Sequence, residues 1–271
     1  MEGGKLNFDG AIFDMDGVIT RTAVVHSSAW KEACDEYLRH REAIHKEPFN
    51  EFTQGDYLAF VDGRPRYKGA ELFLQSRGIV IPFGDPNDEP GTETVCGLGN
   101  RKNENFNAKL EQEGVPIFES TIQLVKQLLL NGIRVGVATS SKNCARVLEK
   151  AGVAGLFETR VDGVISAELG MHGKPEPDIF AKACDNLGVR YHRAMIVEDA
   201  ISGVQAGAKG RFGLTLGVAR ENNVEELRRN GADVVVTDLS EISLDIINNW
   251  FKSKGENADS VCSEVLSARN I

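Results

Sequence analysis

Several features are scarce or missing in this chain of 271 residues, and each absence excludes a class of protein. No run of about 18 apolar residues occurs, so the sequence predicts no transmembrane helix and no membrane partner. The five cysteines are widely spaced and contain no Cys-x-x-Cys pair, which favours reduced thiols in a cytosolic protein. Residues 1–5 show no apolar signal region. We therefore expect a cytoplasmic location.

Basic residues are also fewer than acidic residues. The chain has 31 Lys and Arg against 40 Asp and Glu, which gives a formal net charge of −9. This balance argues against a nucleic-acid partner, because a phosphate backbone is bound by clusters of basic residues. An anionic small substrate remains compatible with it, since such a substrate needs only a local positive pocket. Hydrophobic residues make up 41% of the chain, which is enough to build a substantial core.

From about residue 115 onward, the pattern alternates between short β-branched runs and segments with helical periodicity. The predicted strands of this part cover residues 133–138, 194–197, 214–218 and 232–236. The predicted helices cover residues 120–131, 143–151, 177–187, 200–209, 221–230 and 242–250. Repeated strand–helix units predict an α/β fold with a Rossmann-like parallel sheet whose two faces are covered by helices.

Residues 22–113 show a different pattern, with predicted helices at 24–38, 70–76 and 102–113 and no convincing strand. The stretch 81–99 is rich in Pro, Gly and Asp and is predicted to be a loop. We therefore predict an α-helical cap domain over 22–113, inserted into an α/β core formed by 1–21 and 114–251. The tail 252–271 has little periodicity and is predicted to be disordered.

The most informative motif is Asp14-Met15-Asp16-Gly17, which follows the apolar strand predicted at residues 11–13. Open α/β sheets bind their ligands at the carboxyl ends of the strands, which is where these two carboxylates fall. One carboxylate can attack an electrophile while the other transfers protons. Taken alone, an Asp-x-Asp pair is equally compatible with an ordinary turn.

The segment 137–143 follows a second strand and opens a helix, and it contains Thr139, Ser140, Ser141, Lys142 and Asn143. Hydroxyls and free backbone N–H groups at a helix start can bind an anion. The alternative is plain helix capping by Ser140 or Ser141.

Two further strand ends carry charged residues. Lys174 precedes a helix start stiffened by prolines and could pair with a phosphate and with Asp14, although a lone surface lysine is the alternative. The adjacent acids Glu198 and Asp199 follow the strand predicted at 194–197 and could bind Mg²⁺. Their alternative is favourable interaction with the dipole of the following helix.

Together these four motifs resemble those of the haloacid dehalogenase superfamily of phosphotransferases, in the same order and over residues 8–236. The segment from Asp14 to Thr20, with His26 and Trp30 after it, is most similar to the β-phosphoglucomutase branch. The cap departs from that branch at Arg21, in the loop 61–67 and in the extra stretch 81–99. In these respects it resembles relatives described as hydrolases and linked to disaccharide phosphorylases.

The resemblance implies a role for each motif. Asp14 would form an aspartyl-phosphate, and Asp16 would protonate the leaving oxygen and deprotonate the incoming one. Mg²⁺ would be held by the side chains of Asp14, Glu198 and Asp199 and by the backbone carbonyl of Asp16. Thr139 and Lys174 would bind the phosphoryl oxygens. His26 would hold Asp16 and couple it to cap closure. The substrate-binding residues that the resemblance implies are His26, Trp30, Gly63, Arg66, Lys102, Ser140, Ser141, Lys142 and Asn143.

The expected function is that of a β-phosphoglucomutase acting on a small phosphorylated sugar, with glucose 1,6-bisphosphate as activator and a monomeric state. In this interpretation Lys142, Asn143, Ser141 and Arg66 bind the phosphate that is not being transferred, and Lys102 reaches the sugar. A sugar-phosphate phosphatase is the first alternative, since it would differ only in using water as the acceptor. A non-catalytic protein that binds a phosphorylated ligand is the second alternative.

Overall fold

The structure is a computed structural model that describes residues 6–46, 48–220 and 222–253. The chain divides into two compact units, one formed by residues up to Thr20 and from Pro116 onward, the other by Arg21–Val115. Of the tail 252–271 that was predicted to be disordered, residues 252 and 253 are helical, which contradicts the prediction there, and the rest lies outside the described residues. Within the described part, no helix is both long and apolar enough to cross a membrane.

The α/β unit contains a six-stranded parallel sheet with the order β3-β2-β1-β4-β5-β6. Its strands are β1 (Gly10–Phe13), β2 (Arg134–Ala138), β3 (Thr159–Val161), β4 (Ala194–Glu198), β5 (Leu214–Val218) and β6 (Val234–Val236). The last residue of β1, Phe13, pairs with Val137 on one side and Val197 on the other. The residues that follow β1, β2 and β4 therefore lie at one edge of the sheet. The predicted α/β fold with a parallel sheet is confirmed.

Helices surround this sheet because their apolar faces are buried against it. The helices of the unit are α5 (Glu119–Leu130), α6 (Cys144–Lys150), α7 (Gly163–Glu168), α8 (Asp178–Leu187), α9 (Ile201–Lys209), α10 (Val224–Arg229) and α11 (Leu244–Ser253). The helix α8 shows the pattern clearly, since Ile179, Phe180 and Ala183 share a buried cluster with Ile12 of β1 and Ile196 of β4. This packing holds the segment just before α8 close to the central strands.

The unit Arg21–Val115 is helical in all its described regular elements. Its helices are α1 (Ala23–His45), α2 (Gln54–Asp56), continued by a π-helical turn (Tyr57–Val61), α3 (Arg66–Ser76) and α4 (Val95–Glu113). They enclose a separate core that includes Phe52, Phe73 and Leu98. The three long helices were predicted, but each begins earlier or ends later than its apolar pattern indicated.

One further expectation about local structure is wrong, and the short elements β3 and α7 were not predicted. The stretch 81–99 is not a loop throughout, because α4 begins at Val95, where the Thr94 side chain accepts the Gly97 N–H at 2.9 Å. This cap starts a helix that the glycines at 97 and 99 concealed. The strand β3 was not predicted, since its three residues Thr159–Val161 are too short and too polar to show a pattern.

Candidate active site

A tight turn follows β1 and separates the two carboxylates of the first motif. The Met15 carbonyl accepts the N–H groups of residues 18–20 at 3.3, 2.9 and 2.9 Å, so the chain reverses immediately after Asp14. Gly17 adopts φ +82°, a left-handed conformation that glycine accepts without a steric penalty. The turn leaves Asp14 buried at 5% exposure, while Asp16 is partly exposed. The two carboxylates therefore occupy different environments, as distinct chemical roles require.

Lys174 joins two of the predicted acids. Its Nζ donates a hydrogen bond of 2.6 Å to Asp14 Oδ1 and a second, shorter one to Glu198 Oε1. The ammonium lies 5.1 Å from the centre of the Phe180 ring at the start of α8 and is 3% exposed. The surface-lysine alternative is therefore wrong, because the packing of α8 buries Lys174 between two carboxylates.

Glu198 divides its two oxygens between different donors. Oε1 accepts from Lys174, while Oε2 accepts the backbone N–H groups of Asp199 at 3.0 Å and Ala200 at 3.1 Å. The carboxylate also lies against α9, where a Cβ at Gly203 would come within 1.9 Å of Glu198 Cδ. The absence of a side chain at position 203 thus makes room for the buried acid.

The electrostatics of this group show an excess of negative charge. Burial raises the pKa of Asp14 to about 8, Lys174 opposes this shift, and the charges of Glu198 and Asp16 add to it. Burial would lower the pKa of Lys174, but the charges and hydrogen bonds of Asp14 and Glu198 raise it above its usual value. One ammonium therefore compensates only part of the charge that the neighbouring carboxylates carry when ionised.

Three acidic side chains gather in a manner that suits a divalent cation. Asp14, Glu198 and Asp199 each offer an oxygen, and these oxygens lie within 4.8 Å of one another. The turn after β1 also reaches this group, because a Cβ at Gly17 would lie 1.8 Å from Asp199 Oδ2. Carboxylate oxygens with surplus negative charge are the donors that Mg²⁺ prefers, so the residues present fit this ion.

The segment after β2 is organised by its own hydroxyl groups. The buried Thr139 side chain accepts the Ser141 N–H at 3.2 Å, and the Ser141 hydroxyl accepts the Asn143 N–H at 3.2 Å. The helix α6 starts at Cys144 with Asn143 at its cap position, so neither Ser140 nor Ser141 is the cap residue, although the Ser141 hydroxyl accepts the N–H of that residue. The sequential turns place residues 139–143 at the same edge of the sheet as Asp14.

In the helical unit, three of the predicted substrate-binding residues form one cluster. Lys102 is 3% exposed, and its Nζ lies 2.5 Å from His26 Nδ1 and 5.5 Å from the centre of the Trp30 ring. Because an ammonium can only donate, Nδ1 of His26 accepts and the ring proton lies on Nε2. Phe106, which the sequence did not single out, stacks on His26 with ring centres 4.0 Å apart.

Arg66 begins α3 and has neutral partners. Its Nη2 donates to Asn103 Oδ1 at 2.7 Å, and its guanidinium lies 5.8 Å from the centre of the Tyr67 ring. Burial lowers the pKa of Arg66, since a charged group loses hydration there. Gly63 precedes it in a left-handed turn with φ +66°. A partly buried guanidinium with neutral partners retains capacity for an anion.

The structure thus brings Asp14, Lys174, Glu198 and Asp199, which come from three of the four motifs, together in the α/β unit. Sequence reasoning missed Asn103, the partner of Arg66, although it directly follows Lys102, which was identified. It also missed Arg220, which contacts the turn after β1 from 203 residues away. A lone arginine after a strand carries no local signal for such a contact.

Comparison with known proteins agrees with this arrangement. The family model of the haloacid dehalogenase-like hydrolases matches residues 8–211. A β-phosphoglucomutase from Mycobacterium bovis is 43% identical over 235 residues, which cover 85% of this chain and 90% of that protein. A trehalose-phosphate phosphatase from Mycobacterium leprae is 31% identical over 128 residues, or 46% of this chain and 28% of that protein.

A solved structure shares the fold. The crystal structure of a β-phosphoglucomutase from Clostridium difficile has a TM-score of 0.74 at 21% identity and covers 91% of this chain and 98% of that one. The family match spans most of the chain, and three acids and a buried lysine meet at one edge of the sheet. The chain therefore belongs to the haloacid dehalogenase-like hydrolases, in their β-phosphoglucomutase-like branch, and is an enzyme of the phosphotransferase or phosphatase type.

Proposed function

We propose that this chain is a β-phosphoglucomutase that converts β-glucose 1-phosphate into glucose 6-phosphate through a phosphorylated Asp14. The observation that carries the proposal is the buried Asp14 carboxylate, 2.6 Å from Lys174 Nζ and grouped with Glu198 and Asp199. The mycobacterial relative that is 43% identical and bears the same activity in its name supports the choice of reaction.

In the proposed first step, an oxygen of Asp14 attacks phosphorus of a sugar bisphosphate or sugar phosphate, and the bond from phosphorus to the sugar oxygen breaks. Asp16 donates a proton to that leaving oxygen. Lys174 and the Thr139 hydroxyl bind the other phosphoryl oxygens. Mg²⁺ held by Asp14, Glu198, Asp199 and the Asp16 carbonyl would offset negative charge on the phosphoryl group. Positioning and charge suffice, because the transition state of phosphoryl transfer is loose.

In the second step, a hydroxyl of the sugar attacks the phosphorus carried by Asp14, the bond from phosphorus to the Asp14 oxygen breaks, and Asp16 takes the proton of that hydroxyl. A mutase must retain the bisphosphate while it reorients between the two steps. We assign the phosphate not being transferred to Arg66, Ser141, Lys142 and Asn143, and sugar contacts to His26, Trp30, Gly63, Lys102 and Ser140. Glucose 1,6-bisphosphate would then act as the activator that phosphorylates Asp14.

The decisive experiment follows two products in one reaction. Purified protein with Mg²⁺, β-glucose 1-phosphate and a trace of glucose 1,6-bisphosphate is expected to form glucose 6-phosphate well in excess of inorganic phosphate. The ratio is expected because a closed site excludes water from the phosphorylated Asp14. Release of inorganic phosphate without glucose 6-phosphate would contradict the mutase proposal.

That contrary outcome would support the second candidate, a sugar-phosphate phosphatase. Two observations favour this candidate: the matching family is described as hydrolases, and the phosphatase from Mycobacterium leprae matches part of the chain. The same catalytic residues would serve both reactions, with water in place of the second sugar hydroxyl. The difference therefore depends on the acceptor and not on Asp14.

A substitution at Arg66 separates the two activities further. Replacing Arg66 with Ala is expected to lower kcat/KM of the mutase reaction about 10- to 100-fold, the value of a lost charge-assisted hydrogen bond. Hydrolysis of a small phosphate ester with a single phosphate should change much less. Arg64→Ala, which removes the same charge two residues earlier, just before α3, is the matched control. Equal loss of both activities in Arg66→Ala would mean that Arg66 only maintains local structure.

A further inference from the structure

Three successive carbonyl groups of the turn after β1 are held from outside the turn. The Gly17 carbonyl accepts from Arg220 Nε at 2.8 Å. The next carbonyl, of residue 18, accepts from the Thr121 hydroxyl at 2.6 Å, and that of residue 19 accepts from the Phe118 N–H at 2.9 Å. The donors to the carbonyls of residues 18 and 19 come from the start of α5, whereas the donor to the Gly17 carbonyl is the Arg220 side chain.

Arg220 is itself fixed by several contacts. It follows β5, and its guanidinium carbon lies 3.5 Å from the centre of the Phe118 ring. Its Nη1 donates to the Thr237 carbonyl at 3.1 Å and lies 3.7 Å from Asp238 Oδ2. The Arg220 side chain is only 17% exposed. A guanidinium that is stacked, hydrogen-bonded and largely buried has little rotational freedom left.

The acid beside Arg220 is held in its charged form. Asp238 Oδ2 accepts from the Ser120 hydroxyl at 2.9 Å, and Oδ1 accepts from Ser240. Burial would raise the pKa of Asp238, but the hydrogen bonds from Ser240 and Ser120 and the charge of Arg220 lower it. The anchor of Arg220 therefore joins the loop after β6, the start of α5 and the turn after β1.

The contact matters because of where Gly17 lies. Gly17 directly follows Asp16, and its lack of a side chain makes the backbone at this point the most freely rotating part of the turn. A bond to the Gly17 carbonyl restricts that rotation and so fixes the direction of the preceding residue. The planar fork of arginine can make this bond while it stacks on Phe118 and reaches Thr237, which a lysine ammonium cannot do.

We propose that Arg220 is a positioning residue for Asp16, which acts by holding the Gly17 carbonyl and thereby the turn that carries the acid. This inference rests on the proposed function, because it assigns to Asp16 the protonation of the leaving oxygen. It adds a residue outside the four motifs to the machinery of proton transfer. In this role Arg220 acts on Asp16 through the turn and not on the reacting atoms themselves.

The test compares two phosphoryl donors that differ in their need for an acid. A sugar phosphate requires protonation of its leaving oxygen, whereas acetyl phosphate releases acetate and does not. Replacing Arg220 with Ala is expected to lower kcat with β-glucose 1-phosphate about 100-fold, since a catalytic group displaced by 1 Å loses about that much. The KM for β-glucose 1-phosphate and the rate of phosphorylation by acetyl phosphate should change little.

Reference variants make the outcome interpretable. Asp16→Asn should show the same dependence on the leaving group, and Arg220→Lys should recover part of the loss because it keeps one donor. Phe118→Leu removes the ring that stacks on the Arg220 guanidinium but keeps the backbone N–H of residue 118 as a donor to the turn. This variant replaces Arg220→Ala in the test if Arg220→Ala does not fold. Arg228→Ala removes a surface charge paired with Glu225 at 2.9 Å and should leave both rates unchanged.

Two results in Arg220→Ala would overturn the inference, provided that the wild type is active. One is an equal loss of rate with β-glucose 1-phosphate and with acetyl phosphate, and the other is an unchanged kcat with β-glucose 1-phosphate. Failure of the proposed function would look different. In that case the wild type itself would form no glucose 6-phosphate from β-glucose 1-phosphate, or it would keep its activity after loss of Asp14.

Discussion

Replacing Asp14 with Asn is expected to lower kcat on the order of 10⁶-fold, the loss that removal of an enzyme's nucleophile produces. Asparagine has nearly the same shape, but its amide nitrogen cannot form the acyl phosphate. Incubation with ³²P-labelled glucose 1,6-bisphosphate followed by acid quench should therefore label the wild type and leave the variant unlabelled. The variant should still fold, because the change removes a carboxylate whose charge is disfavoured by burial and by Glu198.

A matched control lies at the other end of the same strand. Asp9 precedes β1 and pairs with Arg193, with 2.8 Å between Asp9 Oδ1 and Arg193 Nη2. Asp9→Asn makes the same chemical change at a partly exposed site and should leave labelling and kcat unaltered. Covalent label on Asp14→Asn, or equal losses in the two variants, would refute the assignment of Asp14 as the nucleophile.

Replacing Lys174 with Ala is expected to reduce the free energy of unfolding by about 3–5 kcal/mol, the cost of leaving a buried charge without its partner. Lys174 is 3% exposed and connects Asp14 and Glu198, so both carboxylates would lose their buried cation. Urea unfolding without Mg²⁺ measures the effect. Addition of Mg²⁺ should restore part of the stability, because an ion that binds only the folded state stabilises it.

The control for this prediction is a solvent-exposed lysine whose distance to its carboxylate partner equals that between Lys174 and Asp14. Lys209 lies 2.6 Å from Glu176, and both side chains are 47% exposed. Lys209→Ala should cost only about 0–1 kcal/mol, as exposed ion pairs do. If Lys174→Ala had the same midpoint urea concentration of unfolding as the wild type, the contacts of Lys174 with Asp14 and Glu198 would contribute nothing to stability. The charge balance described for the site would then be incorrect.

The strands that the sequence predicted are those with continuous β-branched or apolar runs, such as β4 and β5. Such runs identify buried parallel strands because both faces of the sheet are covered. The strand β3 escaped prediction because only Val161 of its three residues is buried. The start of α4 was missed for another reason: the Thr94 cap is a local contact, but it is surrounded by the glycines and prolines typical of loops.

The candidate site was predictable to the extent that its residues follow strands. Asp14 and Glu198 are adjacent to apolar runs, so the topology of a parallel sheet brings them together whatever the details of packing. Lys174 was identified from its motif, but its burial depends on how α8 packs. The contacts of Arg220 and Asn103 became visible only in the structure. Their partners lie far away in the sequence, and such contacts produce no hydrophobic periodicity or motif that could predict them.

The contacts of Glu198 also limit which residue types position 198 tolerates. Its two oxygens accept hydrogen bonds from an ammonium on one side and from two backbone N–H groups on the other, so these three partners are all donors. A glutamine would turn an NH₂ group toward one of them, and an aspartate is one methylene too short to reach both. The hydrogen bonds of the folded chain therefore favour glutamate at position 198 independently of any role in the reaction.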